Sequence, residues 1–199
     1  MKLMLVTDLE GVAGVLDFAN WCSIDSRYYD KAKKLLTLET NAVIEGFFAG
    51  GATEIRVVDG HGPGALDPEL LDERVELQRG AATPVWPFTL DDSFDGIGWV
   101  GQHAMSRTPY SHISHTGTFD VFEATANGIP VGEFGEFALC AAELKVPVIF
   151  AGGVMSNRWM RKNLSSRFEA YFSEPEFSAD NGAGVSLLCR SAFLRHEDS

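Results

Sequence analysis

The amino-acid sequence predicts an α/β fold: a mixed, mainly parallel sheet flanked by helices, with a metal site at the carboxyl ends of its strands. Three observations predict it. Short apolar runs at 2–7, 54–58 and 146–150 have the length and composition of buried strands. An amphipathic helical stretch lies between the first two, the order of a right-handed parallel unit. Acids and imidazoles stand just past the strand ends, where open α/β sheets bind their ligands.

The first strand, 2–7, is closed by Asp8, Glu10 and Gly11. From 28 to 50, Ala32, Leu35, Leu36, Val43 and Phe47 recur at three-, four- and seven-residue spacings, and Gly50 and Gly51 supply a left-handed stop to the helix. The second strand, 54–58, ends in Asp59, Gly60, His61, Gly62, Pro63 and Gly64, a run that forbids continued helix or ladder. A weak strand follows at 75–77, a break at 84–87, and a strand at 96–100 that leads into Gln102 and His103. A polar segment then holds His112 and His115. Residues 119–126 and 129–131 flank Asn127 and Gly128, the dipeptide of a type I′ hairpin, so some antiparallel pairing is expected to join the sheet. Residues 132–144 place Phe134, Phe137, Ala138 and Ala141 on one helix face, with Glu133 and Glu136 in the first turn, and 146–150 is a further buried strand. Past Gly153 the pattern fades, apart from an apolar stretch at 185–189. A single α/β domain over 1–199 is expected, with 154–199 a divergent C-terminal segment.

Composition narrows the function classes. Of 199 residues, 45% are hydrophobic, enough to bury a core and too many for a disordered chain. The 28 acidic residues outnumber 16 Lys and Arg, and the formal charge of -12 opposes binding to nucleic acid or to an anionic membrane. No apolar run approaches the roughly 18 residues needed to span a bilayer. The run 3–6 is cut off by Asp8 and Glu10, as neither an anchor nor a signal peptide would be. The cysteines, Cys22, Cys140 and Cys189, are odd in number and far apart, as expected of buried thiols in a reducing cytoplasm.

The chemistry lies at the strand ends. Asp8 and Glu10 follow the first strand, Asp59 and His61 the second, and His103 the strand ending near Val100; Glu133, opening a helix after the hairpin, can reach the same place. Each has an ordinary alternative, since carboxylates cap helix starts and a histidine can sit hydrogen-bonded in an interior. Together they suit borderline divalent metals, and a bridging Asp with one His and one Glu per ion would fit two zinc ions. Two other chemistries fit less well. A phosphoryl-transfer enzyme built on Asp8 expects a second aspartate where Glu10 stands, and there is no glycine-rich Lys-Ser/Thr phosphate loop. A serine hydrolase expects a Gly-x-Ser-x-Gly elbow, which is absent.

Five blocks in order, Thr7-Asp8-Leu9-Glu10-Gly11, Val58-Asp59-Gly60-His61, Gly101-Gln102-His103-Ala104, Ser114-His115 and Pro130-Val131-Gly132-Glu133, resemble the zinc-dependent D-aminopeptidases of the DppA type, over roughly residues 1–152. The resemblance implies that Asp8 bridges two zinc ions, with Glu10 and His103 on one side and His61 and Glu133 on the other, and that His115 is the catalytic residue. It implies removal of an N-terminal D-amino acid, such as D-alanine, from short unblocked peptides by a metal-activated water. It also implies a homo-oligomer, ring-forming, that encloses its active sites. Those enzymes continue after Ala151 and Gly152 with an acidic pair where this chain has Gly153 and Val154. The alternatives are a metal-dependent amidohydrolase acting on another small substrate and a metal-binding, non-catalytic oligomer. His112 is expected at the surface or behind the site, Ser114 is a candidate to orient His115, and Asp59 a candidate acceptor for a ligand imidazole.

Overall fold

The computed structural model describes residues 1–80, 89–150, 162, 165, 166 and 170–172. The expected break at 84–87, Gly153 and Val154, the stretch at 185–189, Cys189 and most of the divergent segment 154–199 lie outside the described residues.

Among the described residues the strands are β1 (Lys2–Thr7), β2 (Glu54–Asp59), β3 (Glu76–Gln78), β4 (Gly96–Val100), β5 (Ala124–Ala126), β6 (Ile129–Val131), β7 (Val148–Phe150) and β8 (Ala170–Phe172). The helices are α1 (Phe18–Trp21), α2 (Tyr29–Ala49) and α3 (Glu133–Leu144). Six strands form one sheet in the order β3-β2-β1-β4-β7-β8, parallel at every described pairing. The chain winds outward from β1 through β2 to β3, returns to β4 on the other side of β1, and continues outward to β7 and β8. The order therefore reverses between β1 and β4, and the crevice at their carboxyl ends is where such a sheet leaves room for a ligand.

Alternation in β1 divides the core. Leu3 and Leu5 pack in one cluster with Ala32, Leu36, Ile44 and Phe47 of α2, whereas Met4 and Val6 pack in a second with Ile97, Phe137 and Ala141, the last two from α3. Both faces of the sheet are thus covered, and each fully buried Leu or Ile contributes about 1.5–3 kcal/mol by leaving water. The α2 helix ends where expected, with Gly50 as its C-cap and Gly51 at φ +95°.

The hairpin corrects one expectation. Asn127 and Gly128 take the positive φ values, 52° and 80°, that a type I′ turn requires. Strands β5 and β6, however, make a separate two-stranded antiparallel sheet and do not join the main one. Both edges of β4 are already taken, by β1 and β7, so the hairpin that follows β4 finds no open ladder beside it. Helix α1 was not foreseen: Asp17 caps it by accepting a bond from the Asn20 amide at 2.8 Å. Cys22 is buried and Cys140 half-buried, both as free thiols. Among the described residues no helix is long and apolar enough to cross a membrane.

Candidate metal centre

The crevice is built by backbone before any side chain reaches it. The Asp8 amide donates to the Val100 carbonyl at 2.9 Å and the Gly11 amide to the Gly101 carbonyl at 2.7 Å, so the loops after β1 and β4 run against each other. A side chain on Gly101, whose φ is +73°, would stand 1.9 Å from the Asp8 carbonyl oxygen. Only glycine allows that approach, and the approach brings His103 to Asp8.

Five residues predicted from the sequence come together here. Asp8, Glu10, His61 and His103 are buried, and the Glu133 side chain is 18% exposed. His61 Nδ1 lies 3.3 Å from both Asp8 Oδ1 and Glu10 Oε2. His103 Nε2 lies 3.2 Å from Asp8 Oδ2 and 3.5 Å from Glu133 Oε1. Asp8 thus touches both imidazoles, one with each oxygen. The ligand atoms of Asp8, Glu10 and His103 all fall within 4.8 Å of one another, and so do those of His103, His115 and Glu133.

The other nitrogen of each imidazole is committed to backbone. His61 Nε2 donates to the Cys22 carbonyl at 2.7 Å and His103 Nδ1 donates to the Ala104 carbonyl at 2.9 Å, because a carbonyl can only accept. That choice of tautomer turns a bare lone pair from each ring onto carboxylate oxygens. His103 Nε2 and Glu10 Oε2 are buried with no hydrogen-bond partner. Buried lone pairs facing lone pairs call for a cation between them, either a proton or a metal.

Protonation behaviour follows the same geometry. Burial disfavours the charged imidazole, yet the carboxylates of Asp8 and Glu10 outweigh it and raise His61 to about 10. Glu133 and Asp8 likewise overcome burial to raise His103 to about 9. Burial drives the Asp8 carboxyl up; at Glu10 burial is again the largest single effect, but His61, Asp8 and His103 together outweigh it and bring that carboxyl down. This is a cluster that holds protons tightly when it holds nothing else.

His115 stands beside the cluster. Its ring stacks on that of His103, centroids 3.7 Å and planes 11° apart, and on Phe119 at 4.6 Å. Its Nδ1 donates to the Ile113 carbonyl at 2.9 Å, leaving Nε2 as an acceptor. Ser114 therefore does not hold that nitrogen. His112 is exposed and bonded to the Val15 carbonyl at 3.0 Å, which is the surface position expected of it.

Asp59 corrects another expectation. Its oxygens accept the Ala65 and Leu66 amides at 3.0 Å each and the Arg79 guanidinium at 2.8 Å. It shapes the loop that carries His61 and leaves the ring to Cys22. Gln102, whose position but not its role was legible, donates to Asp8 Oδ2 at 3.0 Å, and the Gly117 amide donates to Glu133 Oε1 at 2.6 Å. A cavity of about 790 Å³ opens over these groups, lined also by Phe18, Ile24, Phe119 and Glu136. Cys22 lines it too, but burial, with Glu10 and Asp8 nearby, pushes its thiol up to about 12, so it stays protonated and inert.

The sequence profile of the D-aminopeptidase family matches residues 1–170, which hold the crevice and every strand of the main sheet up to the start of β8. The chain belongs to the D-aminopeptidase family. Family likeness therefore reaches past the roughly 152 residues covered by the five sequence blocks. The D-aminopeptidase of Bacillus subtilis strain 168 is 35% identical over 158 residues, which are 77% of this chain and 56% of that relative. The chain thus spans little more than half the length of that curated relative. A solved structure described as the Zn-dependent D-aminopeptidase DppA from Bacillus subtilis, a self-compartmentalizing protease, superposes with a TM-score of 0.77 at 28% identity, covering 100% of this chain and 75% of that one.

Proposed function

We propose that this chain is a dizinc aminopeptidase that releases an N-terminal D-amino acid, such as D-alanine, from short unblocked peptides. The observation that carries the reading is the pair of buried imidazoles. Each has one N–H held by a backbone carbonyl and turns its remaining nitrogen onto carboxylates, an arrangement that a divalent cation completes. The nitrogen and carboxylate donors suit zinc, and the zinc dependence printed for the Bacillus subtilis structure supports that choice. Asp8, with one oxygen toward each imidazole, would be the ligand common to both ions, and Glu10, His61, His103 and Glu133 would supply the remaining ligands.

Two such ions, when bound, would supply a water nucleophile at neutral pH and a Lewis acid for the scissile carbonyl and the substrate's free amine. The protein's own groups do the rest. The Ala104 and Cys22 carbonyls fix the ligand tautomers, and Gln102 holds Asp8 in place. His115 takes a proton at Nε2 from the attacking water and returns it to the leaving amine, with Ile113 holding Nδ1 so that the ring stays aimed. Residues 1–199 form a single domain in this reading, cytoplasmic and assembling as a ring-forming homo-oligomer; the self-compartmentalizing description of the Bacillus subtilis enzyme supports the assembly.

The test is a matched set of D- and L-alanyl peptides with their N-acetylated forms, assayed with zinc. Free D-peptides should be cleaved fastest and the acetylated forms hardly at all. Equal rates on blocked and free peptides would reject the aminopeptidase reading, and no peptide turnover by a zinc-loaded protein would favour an amidohydrolase with another small substrate.

A further inference from the structure

Different parts of the chain hold the two buried imidazoles in place. His103 is brought to Asp8 by backbone, through the close approach at Gly101, whereas the loop that carries His61 is held from outside the crevice. That loop follows β2 and folds back on itself: the Gly64 amide donates to the His61 carbonyl at 2.7 Å, and the Tyr29 hydroxyl donates to the Gly64 carbonyl at 3.0 Å. Asp59, the last residue of β2, ties the two ends of the loop, with Oδ1 on the Ala65 amide and Oδ2 on the Leu66 amide. The Asp59 side chain is fully buried, and Arg79 answers its charge, with Nε 2.8 Å and Nη2 2.6 Å from Oδ2. Nη2 also donates to the Leu66 carbonyl, so one planar guanidinium grips the carboxylate and the loop backbone together. The seat is close: at Gly64, whose φ is +88°, an added Cβ would stand 2.8 Å from Arg79 Nε. Register brings the pair together, because Val58 lies opposite Gln78 in the parallel pairing of β2 with β3, and Asp59 and Arg79 come next.

We propose that Arg79 is a positioning residue for the metal ligand His61, acting through Asp59 and the Leu66 carbonyl. The proposal rests on the dizinc reading and deepens it. His61 keeps Nδ1 3.3 Å from both Asp8 and Glu10 and Nε2 on the Cys22 carbonyl, three contacts that one ring can satisfy only from a closely fixed backbone. Without Arg79 the buried Asp59 carboxylate loses the cation bonded to it, and the loop opens to let water reach the charge. That opening loosens the backbone on which His61 stands. His103 hangs from a different loop, closed by the Gly101 approach, and keeps its place. Loss of Arg79 therefore weakens one ion of the pair more than the other.

Zinc affinity and ring-proton exchange test this on the full chain. Chelator competition on the wild type should resolve two zinc ions, and Arg79→Gln should weaken one of them by about ten- to a hundredfold and the other much less. Arg79→Lys keeps the charge without the planar fork and should weaken the same ion by a smaller factor. Arg74→Gln, which removes an exposed guanidinium from Asp72 and Glu45, should change neither. The second measurement needs no metal: nitrogen-15 NMR of the metal-free protein follows the His61 Nε2 proton held by Cys22 and the His103 Nδ1 proton held by Ala104. In Arg79→Gln the His61 proton should exchange with water about tenfold faster and the His103 proton at its wild-type rate. No change in Arg79→Gln, or equal losses at both ions and both ring protons, would overturn the proposal while leaving the dizinc reading intact. So would an Arg79→Lys protein identical to wild type in both measurements, which decides the matter if Arg79→Gln does not fold. A wild-type chain that binds no zinc would strike the dizinc reading, and the proton exchange would still decide whether Arg79 places His61.

Discussion

The imidazole of His115 lies flat on that of His103, 3.7 Å between centroids, with each ring anchored by its Nδ1 to a backbone carbonyl. The two Nε2 atoms are therefore presented to one small volume, with Glu133 as the third member of the group. His103 meets Asp8 as well, and His115 does not stand among the five residues assigned to the metal. In the proposed mechanism the stacked pair divides the labour: His103 would hold the metal and His115 would transfer the proton.

His115→Ala should keep its zinc and lose turnover, with kcat lower by roughly two to four orders of magnitude. His112→Ala should leave kcat unchanged, since His112 is exposed and bonded to the Val15 carbonyl. Zinc content and steady-state rates on the same preparations check both. An active His115→Ala enzyme would move the proton-transfer role to another group.

Gly101→Ala should destabilise the protein more than any surface glycine change. The added Cβ would meet the Asp8 carbonyl oxygen at 1.9 Å and sit at a left-handed φ of +73°; the backbone alone costs about 1–2 kcal/mol. Gly117→Ala has a similar φ, +66°, but open space around the new Cβ, so it isolates the backbone cost. Thermal melts of the two variants should separate clearly, and similar melting temperatures would show that the close approach of the two loops is dispensable.

The metal-free protein should lose stability as pH rises from about 7 to about 10. His61 and His103 have raised values, about 10 and about 9, so the native cluster binds more protons than the unfolded chain in this window and stability falls with pH. Asp8, raised to about 7, acts in the same direction but mainly below this window, between about pH 4 and pH 7. Glu10 and Glu133 are lowered, so their contribution is present at neutral pH and is lost only as the solution becomes strongly acid. Zinc must displace the imidazole protons, so its stabilising shift should grow over the same rise in pH. Melting curves with and without zinc at pH 7 and pH 9.5 check this, and a metal-free curve independent of pH would contradict it.

Much of this was legible in the residues and some was not, for physical reasons. The strand ends announced Asp8, Glu10, His61 and His103 because apolar runs stop there and the fold class places ligands at such ends. Glu133 was legible as the opening of a helix after an Asn-Gly turn. The groups that aim the imidazoles were invisible, since they are carbonyls of Cys22, Ala104 and Ile113, and a carbonyl has no residue-type signature. Asp59 was misassigned for a similar reason: its partner Arg79 lies 20 residues away, and only the parallel pairing of β2 with β3 brings them together. The hairpin's own turn was readable, but its separation from the main sheet depends on which edges of β4 other strands occupy. Asp17 and Asn20 did carry the signal of α1, a cap and its partner three residues on, in a stretch too short for periodicity.

In the proposed centre Asp8 is the ligand on which both ions would depend, because its two oxygens meet the two imidazoles. The most direct measurement is elemental analysis of the protein purified without added metal, alongside Asp8→Ala and Glu10→Ala. The account predicts close to two zinc ions per wild-type chain, a larger loss in Asp8→Ala than in Glu10→Ala, and a lower melting temperature on chelation. A wild-type chain that carries no zinc and takes up none when it is supplied, or an Asp8→Ala chain that still holds two, would contradict it.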